Sequence, residues 1–153
     1  MGVVMDVVTA VRNIRGAMRI ADGVTLTATL RPARGAEALF TTTGPLVETL
    51  ARARLRVDPR ASRPRNSALA VVAGSEIYVE LAGVIDPAAE RARLQKEIGR
   101  VKESVEFRKR KLARPEFVER APAEIVAHER ERLAADEALL EKLTASLGWL
   151  DDR

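Results

Sequence analysis

The run Arg108-Lys109-Arg110-Lys111-Leu112-Ala113-Arg114 holds five cations and no acid, directly after an aromatic residue, Phe107. Cations packed this closely repel one another and are best accommodated opposite a polyanion, whose phosphates or carboxylates they would neutralise. An exposed aromatic beside them adds a flat apolar face on which an unpaired base can stack. Other chemistry is poorly supported. Glycines 74, 83 and 99 are isolated, so no phosphate-cradling loop is present. There is no cysteine and a single histidine, His128, which excludes thiolate and multi-histidine metal sites. His128 has only carboxylates and Arg132 near it on its own helix and reads as a solvated side chain. Ser104 and Ser146 have no histidine at helical spacing, so no nucleophile–base pair is suggested. We expect no catalytic residues, no metal site and no cofactor within the chain.

These candidates must be carried by a helical hairpin. Asp86-Pro87 has the form of a helix start, a capping carboxylate followed by proline at the first helical position. Leu94, Ile98, Val101, Val105 and Leu112 then recur at coiled-coil spacing, with Arg108 filling the one remaining seam position. Arg114-Pro115 ends the helix, because the residue before proline is pushed out of helical geometry. A short irregular connector over residues 116–121 is expected, with Pro122 opening a return helix. That helix turns Val126, Leu133, Leu140, Leu143 and Leu147 inward, with Ile125 and Leu139 flanking. Each helix is about 25 residues, which at 1.5 Å per residue gives an arm about 35–40 Å long.

The preceding residues predict a small mixed α/β layer, and the fold class is α+β. Residues 3–20 form a helix with Val4, Val7, Val8, Val11, Ile14 and Met18 on one face. Arg12, Arg15 and Arg19 share another face, read as solvated. A half-exposed strand follows over Val24–Leu30, then two short helical pieces divided at Gly44-Pro45. Next come a short strand at Leu55 and Val57, an Arg- and Pro-rich loop, and a hairpin turning at Gly74-Ser75. A right-handed crossover makes the first two strands parallel neighbours. The expected divisions are a helix over 1–20, an α/β subdomain over 21–83 and the arm over 84–150.

At 153 residues with net charge +4 the chain has room for one compact domain, or for a small domain plus an appendage. No apolar run reaches the roughly 20 residues that span a bilayer, and the arginines of residues 1–20 break any signal-like core. A cytoplasmic protein is expected.

In order along the chain, VVTAVRNIRGAM (Val7–Met18), IYVELAGVID (Ile77–Asp86), ERARLQKEI (Glu90–Ile98) and KLARPEFVERAPAEIVAHERERL (Lys111–Leu133) resemble the C-terminal region of valyl-tRNA synthetases. The first is similar to a helix near the end of the anticodon-binding domain, the others to the entry, bend and return of the coiled-coil arm. Arg114 departs from the asparagine or serine usual at the bend and adds a charge there. The resemblance implies an arm lying against the outer corner of tRNA(Val), using Phe107, Arg108, Lys109, Arg110, Lys111, Arg114 and Arg132. A weaker contact from Arg12, Asn13, Arg15 and Arg19 is implied for the N-terminal helix. The family's enzymes join valine to tRNA with ATP and Mg, but its nucleotide-binding and editing domains have no counterpart here. The chain is therefore expected to be inactive alone, a piece that begins inside a larger synthetase. Its valine-rich first helix, orphaned from the helical domain, would seek the remainder of the synthetase or a second copy of itself. A coiled-coil module that pairs with another protein and no RNA is the competing expectation.

Overall fold

The computed structural model describes residues 2–150. These fall into two compact units, one of residues up to Glu90 together with Trp149 and Leu150, the other Arg91–Gly148.

In the first unit, helix α1 (Gly2–Ala17) is followed by strand β1 (Leu26–Arg31), helix α2 (Glu37–Ala51) and strands β2 (Ala53–Val57), β3 (Ser67–Val72) and β4 (Ser75–Glu80). The sheet order is β2-β1-β4-β3; β1 and β2 are parallel, and the remaining pairs are antiparallel. Adjacent parallel strands need a crossover, and α2 provides it. Alternation along β1 sends Leu26, Ala28 and Leu30 into the core and leaves Thr27, Thr29 and Arg31 on the other face. Register places Ile77 and Val79 beside the buried set, and Arg54 and Arg56 beside the exposed Thr27 and the half-buried Thr29. Helices α1 and α2 pack on each other, α1 also touching β3 and β4, and α2 touching β2.

The valine face of α1 is not left for a second copy. Val4, Val7, Val8 and Val11 are fully buried within the chain, against α2 and the sheet. Met5 alone of the helix's large apolar residues is exposed. The expectation that this face would be orphaned is corrected: a four-stranded sheet supplies the apolar surface.

Two local readings also change. The two helical pieces expected around Gly44-Pro45 are one helix with Pro45 inside it. Burial of Phe40, Gly44, Val47 and Ala51 along one stripe holds it together across the proline. The hairpin turns one residue earlier than expected, at Ala73-Gly74, since Val72 pairs with Ser75. Both turn residues have positive φ, 49° and 82°, the geometry that matches strand twist in a two-residue loop. Ser75 is buried, and its Oγ accepts a hydrogen bond from the Ala33 N–H at 2.8 Å.

The second unit is the hairpin of α3 (Pro87–Leu112) and α5 (Ala123–Leu150), with a one-and-a-half-turn helix, α4 (Pro115–Arg120), between them. The connector expected to be irregular is thus helical, with Pro115 at its first position. Asp86 caps α3 as its sequence implied, its Oδ1 accepting from the N–H groups of Ala88 and Ala89 at 3.1 and 3.3 Å. At 26 and 28 residues, α3 and α5 are each about 40 Å long.

Candidate functional site

Four apolar seam residues of α3, Leu94, Ile98, Val101 and Val105, are buried, as are Val126 and Leu143 of α5. Between them the seam is ionic. Glu129 and Asp136 occupy the positions that complete the 3-4 spacing of Val126, Leu133, Leu140 and Leu143, and Glu129 is buried. Arg108 answers both: Nη1 lies 2.7 Å from Glu129 Oε2 and Nε 3.2 Å from Asp136 Oδ2. Ser104 Oγ donates to the same Asp136 oxygen at 2.7 Å, and Lys111 Nζ sits 3.6 Å from Glu129 Oε1.

Desolvation works against the charge on Glu129, yet Arg108 and Lys111 outweigh it and hold the carboxyl below its ordinary range. The Ser104 hydroxyl, helped by Arg108, lowers Asp136 despite partial burial. Desolvation likewise opposes the Arg108 cation, and its bonds to Asp136 and Glu129 prevail, raising its pKa. These five side chains stay charged or hydrogen-bonded as a set and fix which residues of the two helices stand opposite. Ser104, Glu129 and Asp136 were missed in the sequence because an apolar seam was sought. The signal was present as two acids at heptad positions facing the misplaced Arg108.

The cationic run is therefore divided three ways. Arg108 lies in the seam with its side chain 13% exposed. Phe107 (59% exposed), Arg110, Lys111 and Arg114 line a hollow with Phe117 of α4, over whose ring Lys111 Nζ stands at 4.9 Å. Lys109 belongs to the opposite flank, beside Lys102, Glu106, Glu137 and Glu141, above Val105 and Leu140. Arg132 is exposed on α5. It precedes seam residue Leu133 as Lys111 precedes Leu112, which in an antiparallel pair puts both on the Phe107 flank. Hairpin geometry thus gathers Phe107, Arg110, Lys111, Arg114 and Arg132 on one side.

The arginines of α1 are placed differently from one another. Arg15, expected on a solvated face, is buried. Its Nη1 donates to the carbonyls of Ala21 and Val24 at 2.9 and 2.8 Å, and its Nη2 to those of Ala51 and Arg52 at 3.2 and 3.0 Å. Carbonyls at the end of α2 lack helical partners and carry the negative end of the dipole, so a cation fits there. Arg12 reinforces the same end through two bonds to the Leu50 carbonyl, at 3.2 and 2.8 Å. Asn13 and Arg19 are exposed, Arg19 with a left-handed backbone just past the helix.

Among the described residues, no group of three or more His, Cys, Asp or Glu is arranged to hold a metal, and no helix is long and apolar enough to cross a membrane. A seam of this kind with a cationic, aromatic flank defines the class: a helical-hairpin arm joined to a small α/β sheet. Residues 86–151, the arm, match the family described as Valyl tRNA synthetase tRNA binding arm. It is 39% identical over 150 residues to the valine–tRNA ligase of Geobacter sulfurreducens, covering 96% of this chain and 17% of that protein. The corresponding ligase of Nitratidesulfovibrio vulgaris is 40% identical over 148 residues, with 94% and 17% covered. That of Chlorobaculum tepidum is 30% identical over 145 residues. The chain therefore spans about a sixth of the length of these relatives, and the likeness includes the sheet unit as well as the arm.

Proposed function

We propose that this chain is the tRNA-binding C-terminal part of a valine–tRNA ligase, and that its arm braces the outer corner of tRNA(Val). The observation that carries the reading is the flank of Phe107, Arg110, Lys111 and Arg114, with Arg132 at the matching heptad position of α5, on a hairpin that matches the tRNA binding arm family. Cations there neutralise phosphates and release counterions, which positions the RNA without reading its sequence. Phe107 stacks on an exposed base or on the outermost base pair of the elbow. Lys109, on the other flank, reaches the backbone from the far side. Arg108 acts from inside the seam, holding the helices in the register that aligns the rest. In α1, Arg12 and Arg15 serve the end of α2, which leaves Asn13 and Arg19 as that helix's contribution toward RNA. The remainder of a synthetase, in the cytoplasm, would supply ATP, Mg and the ligation chemistry.

The test is binding of transcribed tRNA(Val) across a salt series. Affinity is expected to fall steeply with salt, and Lys109→Glu with Arg110→Glu to remove most of it. Phe107→Ala is expected to cost about 1–3 kcal/mol at every salt concentration, as loss of a stacked base does. No binding at low salt, with capture of a protein helix instead, would support the protein-pairing alternative.

A further inference from the structure

The arm flank is not the only ordered cationic surface. The sheet face away from α1 and α2 carries Arg54 and Arg56 on edge strand β2, beside Thr27 and Thr29 of β1 in paired register, with Arg31 next along β1. All three arginines are exposed, Arg56 with 77% of its side chain and Arg31 with 47%. Two acids answer them: Asp58 lies 3.3 Å from Arg56, and Glu76 3.9 Å from Arg31. Arg60 and Arg65 follow on the exposed loop that leaves β2. The excess is positive and consists entirely of arginine, whose planar fork suits phosphate better than the point charge of lysine.

We propose that this open half of the sheet is a second RNA-backbone site. Arg54 and Arg56 are two residues apart on one strand, about 6.6 Å, so each can meet its own phosphate along one RNA strand. The hydroxyls of Thr27 and Thr29 stand directly beside them as donors to phosphate oxygens or ribose 2′-hydroxyls. A rigid strand presents these groups already ordered, unlike the long side chains of a loop. The occupant is a structured RNA held by its backbone, so the site carries no base specificity. It goes beyond the arm reading and does not depend on Phe107 or the hairpin.

The experiment uses the whole chain with two probes, transcribed tRNA(Val) and an RNA hairpin of unrelated sequence, titrated from 50 to about 300 mM salt. Arg54→Gln with Arg56→Gln is expected to weaken both probes alike and to make the log–log salt slope shallower by about 1.5, the value for two lost phosphate contacts. Arg54→Lys with Arg56→Lys restores most of that slope. Amide exchange over residues 53–57 is expected to slow in unmodified protein when RNA is added, a readout that needs no variant to fold. Unchanged RNA affinity in the glutamine pair, with unchanged exchange, would overturn the proposal and leave these arginines as guards of a sheet edge. Binding to phosphatidylserine vesicles that the glutamine pair loses while RNA binding persists would overturn it in favour of a lipid surface. A sheet effect in a chain whose Lys109→Glu, Arg110→Glu variant binds normally supports this site and counts against the arm reading; the reverse pattern does the opposite.

Discussion

Arg15 shows how a single cation can hold a junction. Its four carbonyl acceptors come from the end of α2 and from the loop entering β1; two of them, Ala21 and Arg52, also accept from the backbone N–H groups of Val24 and Leu26. Removing the guanidinium takes this partner from the Val24 and Ala51 carbonyls, each loss worth about 1 kcal/mol or more. Arg15→Met is expected to lower the unfolding free energy by about 2–4 kcal/mol, measured by urea denaturation, and Arg15→Lys to recover only part of it. A loss under about 0.5 kcal/mol would mean the carbonyls find water instead. Sequence placed this arginine on a solvated face because its helical phase set it with Arg12 and Arg19. What phase cannot show is that a neighbouring helix ends over it.

Asp136 sets the other residue-scale test. Its folded carboxyl titrates below its unfolded value, so it stabilises the protein above the ordinary carboxylate range and loses that contribution as pH falls through the lowered value. Asp136→Asn is therefore expected to be less stable than the parent at pH 7, with the gap narrowing as pH drops below about 4. Thermal unfolding at several pH values reads this directly, and a gap independent of pH would contradict it.

At the scale of elements, the arm's seam is a zipper interrupted by charge. Replacing a buried ionic cluster with well-packed apolar residues is often neutral or stabilising, whereas removing one member leaves the others uncompensated. Arg108→Leu alone is expected to lower the melting temperature of the chain. Arg108→Leu together with Glu129→Leu and Asp136→Leu is expected to restore it or raise it. The polar cluster then matters for register rather than strength, and the triple variant would show it through loosened helix pairing. In α2, Pro45 is exposed and blocks one helical hydrogen bond, so Pro45→Ala is expected to stabilise by about 1–3 kcal/mol in denaturant unfolding.

The elements differ in how far they could be read beforehand. The capped start of α3, the bend at Arg114-Pro115, the parallel first strands and the exposed Phe107 were all legible, because each follows from local rules of spacing or proline geometry. The unbroken α2 was not, since burial of Phe40 and Val47 on either side of Pro45 is a tertiary effect that overrides a local breaker. The cationic run was legible as charge but not as a surface. One residue's rotation separates Arg108 in the seam from Lys109 on one flank, and a second carries Arg110 round to the other.

For the molecule as a whole, the family match of the arm and the basic surfaces lead to the same expectation, a chain that holds folded RNA by its backbone. The relatives it matches are some six times longer. The arm claim rests on RNA shape. It is tested most directly by competing tRNA(Val) against a transcript whose D- and T-loop bases are substituted to undo the elbow while both retain length and charge. The intact tRNA is predicted to bind at least tenfold more tightly, with the difference lost in Phe107→Ala. Equal affinity for the two transcripts would contradict an arm that braces the tRNA corner.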